Sequence, residues 1–109
     1  MRRFDITIRP RTTGKTMHLI HEYFEHFVGK KVLFITPDQN NLRFIKDTLK
    51  GTKCMVYLDA SKEIEQYEIL LVDGLDEMNW VVIQDIIAKT NPLVIKATAG
   101  MEFLMKVRE

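Results

Sequence analysis

The sequence predicts an α/β fold: a single domain with a mostly parallel, five-stranded sheet flanked by helices. Three observations predict it. Continuous apolar runs such as Lys31–Thr36 and Tyr67–Val72 lack the polar alternation of a half-solvated strand, so both faces of those strands should be covered. The segments between such runs carry apolar residues at helical spacing. The two kinds of segment alternate along the chain, which calls for parallel pairing through right-handed crossovers.

In order, Phe4–Ile8 alternates apolar and polar residues with β-branched side chains and reads as the first strand. A helix is expected from Lys15 to Val28, with Leu19, Ile20, Tyr23, Phe24 and Phe27 on one core-facing stripe and Gly29 ending it. Lys31–Thr36 is a buried strand closed by Pro37. Asp38 is placed to cap a second helix bearing Leu42, Ile45 and Leu49, with Gly51 after it. Lys53–Leu58 is a third strand, and 59–66 a polar loop or short turn. Tyr67–Val72 is a buried strand that runs into Asp73-Gly74-Leu75-Asp76-Glu77. Trp80–Ala88 has helical spacing and is stopped by Asn91-Pro92. Leu93–Thr98 is the last strand, followed by Gly100 and a short helix over Met101–Val107.

At 109 residues the chain has room for one core but not two. A formal net charge of +1 gives no electrostatic case for nucleic acid or membrane, although arginines gather near the start (Arg2, Arg3, Arg9, Arg11). The single Cys54 excludes an internal disulfide and a multi-cysteine zinc site and suits a reducing compartment. No apolar run reaches membrane-spanning length and there is no signal-peptide core, so a cytoplasmic protein with no membrane partner is expected.

Gly14-Lys15-Thr16 sits where the first strand gives way to the first helix. There, backbone N–H groups can cradle phosphate, the Lys ammonium can reach the outer phosphates, and the Thr hydroxyl can ligate Mg²⁺. The full pattern G-x-x-x-x-G-K-[ST] calls for Gly at position 9, where this chain has Arg9, and Pro10 removes one loop donor. A second motif follows: a strand of four apolar residues ending in Asp73. Ligands of parallel α/β sheets bind at the carboxyl ends of strands, so Asp73 should share a rim with Lys15 and Thr16 and hold Mg²⁺ there.

On these residues the chain resembles a minimal P-loop NTPase of the RecA-like division. Arg11-Thr12-Thr13-Gly14-Lys15-Thr16 is similar to the deviant R-x-x-G-K-[ST] Walker A of viral large terminase subunits, and Ile69-Leu70-Leu71-Val72-Asp73 matches Walker B. Val32–Pro37 and Ala97-Thr98 resemble the second strand and the sensor strand of a helicase RecA-like domain. Asp73-Gly74-Leu75-Asp76-Glu77 is similar to the D-G-[hydrophobic]-D-E of NACHT-type NTPases. The resemblance implies a reduced RecA-like P-loop fold, with the sensor strand between the two Walker strands, that binds ATP and Mg²⁺. Arg11, Thr12, Thr13, Gly14, Lys15 and Thr16 would hold the phosphates, with the Lys15 ammonium exposed at the rim. Thr16 and Asp73 would hold the metal, Glu77 or Asp76 would orient water, and Thr98 would sense the γ-phosphate.

Two departures bear on turnover. Helicases and terminases usually carry Glu directly after the Walker B Asp, whereas this chain has Gly74. No arginine finger is evident, so Arg43 or Arg108 of a neighbouring subunit would have to supply one. The implied function is a weak or partner-dependent Mg-ATPase, of viral origin and linked to DNA metabolism or packaging. It would act as a homo-oligomer or with a larger protein. The alternative is a reduced P-loop module that binds protein or nucleic acid without catalysis.

Other signals have blander readings. His18, His21, Glu22 and Glu25 fall within about a 100° arc of the first helix, suited either to a zinc or nickel ion or to solvated His–Glu pairs. Cys54 reads as a small core residue. Trp80 reads as packing against the sheet rather than stacking a base, and Arg2 and Arg3 as a solvated terminus.

Overall fold

The computed structural model describes residues 2–9, 14–63 and 65–101. The strands are β1 (Arg3–Ile8), β2 (Val32–Thr36), β3 (Lys53–Val56), β4 (Ile69–Val72) and β5 (Val94–Ala99). All four pairings are parallel, and the order across the sheet is β1-β5-β4-β2-β3. The last strand therefore lies between the first strand and the one that ends at Asp73, as expected.

Helices cover both faces, and this is why the central strands read as unbroken apolar runs. Every residue of β2 and β4 is buried. On one face Leu33, Ile35, Leu70, Val72 and Ile95 pack with Ile83, Ile86 and Ile87 of α4 (Trp80–Thr90), beside the short α3 (Tyr57–Ala60). On the other, Val32, Phe34, Ile69 and Leu71 pack with Leu19 and Ile20 of α1 (Lys15–Glu22) and with Leu42 and Ile45 of α2 (Leu42–Thr48). None of the described helices is long and apolar enough to cross a membrane.

Three local expectations are corrected. The first helix passes at Tyr23–Phe27 into a wider π turn, which buries Tyr23 and Phe27 but leaves Phe24 53% exposed. By helical periodicity Phe24 lies about 85° from the centre of the buried stripe, and it packs edge-on to Tyr23 instead. Asp38 does not cap α2. Its Oδ1 accepts from Asn40 N at 2.9 Å, closing a local turn, and the helix starts at Leu42. Tyr57 and Leu58 begin α3 rather than end β3. The cap the sequence reading missed is Asn79, whose side chain accepts from Val81 N at 2.9 Å at the start of α4. The expected helix over Met101–Val107 falls almost wholly outside the described residues.

Candidate functional site

The parallel sheet gathers the chemistry-bearing residues at one edge. Gly14 stands just before α1 in the left-handed region (φ 71°), a conformation that favours glycine. The helix then directs Lys15 and Thr16 over the carboxyl ends of the strands. β4 delivers Asp73, β5 delivers Thr98, and β2 leads into the 36–41 loop. A cleft of about 330 Å³ lies between them, lined by Gly14, Lys15, Thr16, Asp38, Asp73 and Glu77 among others.

Asp73 is the centre of the site. Its Oδ2 accepts from Thr16 Oγ1 at 2.5 Å, and its Oδ1 from Thr98 Oγ1 at 3.3 Å. Only 5% of Asp73 is exposed. Burial pushes its carboxyl above the usual range, opposed by the Thr16 and Thr98 hydrogen bonds and by the Lys15 charge. Gly74 N donates to Thr98 Oγ1 at 3.2 Å, so one buried hydroxyl fixes both the carboxylate and the turn after it.

That turn decides where the acidic residues go. Gly74 is left-handed (φ 78°), and a short 3₁₀ turn over Leu75–Glu77 follows it. Glu77 folds back: a Cβ built on Gly74 would meet Glu77 Oε2 at 2.6 Å and Pro37 Cγ at 3.7 Å. The carboxylate of Glu77 therefore occupies the space that a side chain at position 74 would take. Asp76 turns the other way, accepting from Gly100 N at 2.8 Å. Lys15 Nζ lies 3.8 Å from Asp76 Oδ1 and 3.9 Å from Glu77 Oε2. Its side chain is only 17% exposed, so the ammonium is sheltered by the acidic turn rather than open at the rim.

Of the residues singled out from the sequence, Gly14, Lys15, Thr16, Asp73 and Glu77 line the cleft and Asp76 touches it through Lys15. Thr98 is fully buried behind Asp73 and has no surface on the cleft. Arg11, Thr12 and Thr13 lie outside the described residues. Thr36, Asp38, Asn40 and Asn41 form a wall that the sequence reading did not assign. The signal was available: the second strand ends in the same direction as the strand carrying Asp73. Arg9, which stands where the phosphate-loop pattern calls for Gly, turns onto α1. One of its guanidinium nitrogens is 3.3 Å from His18 Nδ1, and its Nε is buried with no partner among the described residues. Burial, then the Arg9 charge, lowers the pKa of His18.

Outside the cleft, the helix face carries the His–Glu pairs: His18–Glu22 at 3.8 Å and His21–Glu25 at 2.7 Å. Among the described residues no group of three or more His, Cys, Asp or Glu gathers to hold a metal. Cys54 is buried, and loss of solvent pushes its thiol up to about 11. Trp80 packs on Phe4 of β1, with ring centroids 6.3 Å apart.

No protein-family model matches the chain, and no curated protein is similar enough to count as a relative.

Proposed function

We propose that this protein binds ATP as its Mg²⁺ complex in the cleft, in a RecA-like P-loop arrangement, with hydrolysis that is weak or dependent on a partner. The observation that carries the reading is the hydrogen bond between Thr16 and Asp73. These two hard-oxygen donors come from distant parts of the chain and face one cleft beside a lysine. A hydroxyl and a carboxylate suit Mg²⁺, which typically takes one or two carboxylate ligands, substrate phosphates and several waters. Thr16 and Asp73 would hold that ion, which when bound neutralises charge building on the phosphates.

The chain's own groups have distinct tasks. The free N–H groups where α1 begins face phosphate, and Lys15 exchanges its carboxylate partners for phosphate oxygens. Thr98 keeps Asp73 oriented from behind. Glu77, seated where a residue-74 side chain would project, is the carboxylate that would accept a hydrogen bond from the attacking water. Strand order supports the RecA-like reading, since β5 separates the two strands that lead into the site. A link to viral DNA packaging rests on the resemblance of Arg11–Thr16 alone.

The reading without turnover has an observation in its favour. Among the described residues, Lys15 is the only basic side chain lining the cleft, whereas phosphoryl transfer draws heavily on compensating cations. The test is titration with a fluorescent ATP analogue, with and without Mg²⁺, on the parent and Asp73→Asn. Saturable binding that needs Mg²⁺ in the parent and loses that dependence in the variant is expected. No binding to the folded parent under either condition overturns the proposal.

A further inference from the structure

Strand β1 ends the sheet, and nothing among the described residues pairs with its outer edge. Its inner edge is used up: Arg3 N donates to Leu93 O and Arg9 N to Ala99 O, both at 2.9 Å. Since these groups alternate along a strand, the N–H and C=O of Phe4, Ile6 and Ile8 point outward. The face of β1 shared with α4 is also poorly covered. Phe4 is 36% exposed, Ile6 39%, Trp80 43% and Val81 71%, and the Trp80 ring leans on Phe4. A bare edge beside an apolar strip is what sheet proteins ordinarily avoid, by charge, proline or a bulge. Over Arg3–Ile8 this strand has neither a proline nor an irregularity in its register with β5.

We propose that a second copy of this chain covers that edge. Two β1 strands would pair antiparallel across a two-fold axis, joining the two sheets into one. The charges on the strand select both partner and register. With Phe4 opposite Phe4 of the second copy, outward-facing backbone groups meet, and Arg3, which already lies 2.7 Å from Asp5 of its own strand with Lys96 at 2.8 Å, also faces Asp5 of the second copy on both sides of the axis. Those Arg–Asp positions are the non-hydrogen-bonded ones, where side chains approach most closely. Sliding the pairing by two residues sets Asp5 against Asp5 or Arg3 against Arg3. A further slip that pairs Phe4 with Ile8 sets Arg3 against Arg9. The remaining register with opposite charges needs Arg9 to face Asp5, but Arg9 is turned onto His18 with its Nε buried. In the chosen register the Phe4, Ile6 and Trp80 strips of both copies lie on one face and merge between the two α4 helices. Arg2 is anchored to Pro92 O and Asn91 Oδ1, which holds the start of the strand in line for pairing.

The experiment is sedimentation velocity on the full chain over a wide concentration range, with circular dichroism melts to check that each variant is folded. A concentration-dependent dimer is expected, abolished by Phe4→Lys. Arg3→Asp and Asp5→Arg should each weaken self-association roughly tenfold or more, because each sets like charges opposite one another in two places. Mixed together they should recover a heterodimer, since the altered positions then face opposite charges. Phe4→Cys should cross-link to itself under mild oxidation, because the two-fold axis brings the two positions within disulfide reach, whereas Ile6→Cys should not. A protein that stays monomeric at every concentration overturns the proposal. So does a dimer that survives Phe4→Lys, or a failure of the two charge variants to associate when mixed.

Discussion

Replacing Gly74 by alanine tests the site at its least forgiving point. Two costs follow from the structure. The first is conformational: φ is 78° there, and a side chain held in the left-handed region costs about 1–2 kcal/mol. For a chain of this size that lowers the melting temperature by roughly 5–15 °C. The second is positional. The new Cβ would stand 2.6 Å from Glu77 Oε2, whereas ordinary contact begins at 3.4 Å, so the carboxylate must retreat by about 0.8 Å. Glu77 ends a flexible, half-exposed side chain and can move cheaply, so little further stability is lost. A catalytic group displaced by about that distance typically costs 10²-fold in rate. Thermal unfolding reads the first cost. Phosphate release, at the protein concentration where the parent turns over, reads the second, with Glu77→Gln alongside. The expected pattern is a lower melting point, unchanged Mg²⁺-dependent nucleotide binding, and turnover reduced about as much as by Glu77→Gln. Turnover at the parental rate in both variants would refute the assignment of Glu77. An unshifted melting point would refute the strained turn.

Three further outcomes follow. Asp73→Asn should raise the urea midpoint of the protein measured without nucleotide, since burial penalises the charged form, while the Mg²⁺ dependence of binding disappears. Lys15→Ala should lower the urea midpoint, because it takes a sheltered ammonium away from Asp76 and Glu77, 3.8 and 3.9 Å distant, and calorimetry should find nucleotide affinity lost. Cys54 and Tyr67 have folded-state pKa values raised to about 11 and about 12, so the stability each contributes is complete below its ordinary value (9.0 and 10.0) and is lost as pH rises through the raised one. Urea midpoints should therefore fall between about pH 9 and pH 12, and Cys54→Ala should remove the lower part of that decline.

The sheet was legible because its causes are local or statistical. Unbroken runs such as Val32–Thr36 and Ile69–Val72 announce burial on both faces, and alternation with helices announces parallel pairing. The rim followed from direction alone, so the meeting of Thr16 with Asp73 could be anticipated. What stayed hidden depends on a few dihedral angles or on partners distant in sequence. No periodicity says that the first helix widens into a π turn at Tyr23. No spacing says that the turn after Asp73 sends Glu77 back over Gly74 and Asp76 away toward Gly100. The shelter of Lys15 depends on that same turn, so an ammonium expected at the open rim lies between two carboxylates instead.

These arrangements bear on the order of events in the cleft. Asp38, Asp73 and Glu77 line it, with Asp76 just behind, and Lys15 is the sole described cation facing them. A bare polyphosphate would meet more like charge than opposite charge, and in a partly buried cleft such repulsion is screened less than at the surface. Nucleotide should therefore be admitted only with a cation that Asp73 and Thr16 can share. The site keeps those two groups occupied with each other, since the Thr16 hydroxyl donates a hydrogen bond to Asp73. It likewise keeps Lys15 occupied with Asp76 and Glu77. On the proposed reading, phosphate would have to draw Lys15 away from Asp76 and Glu77, which would leave the half-exposed Glu77 carboxylate without that ammonium. Binding and the release of Glu77 from Lys15 would then be one event, because Lys15 cannot neutralise both at once.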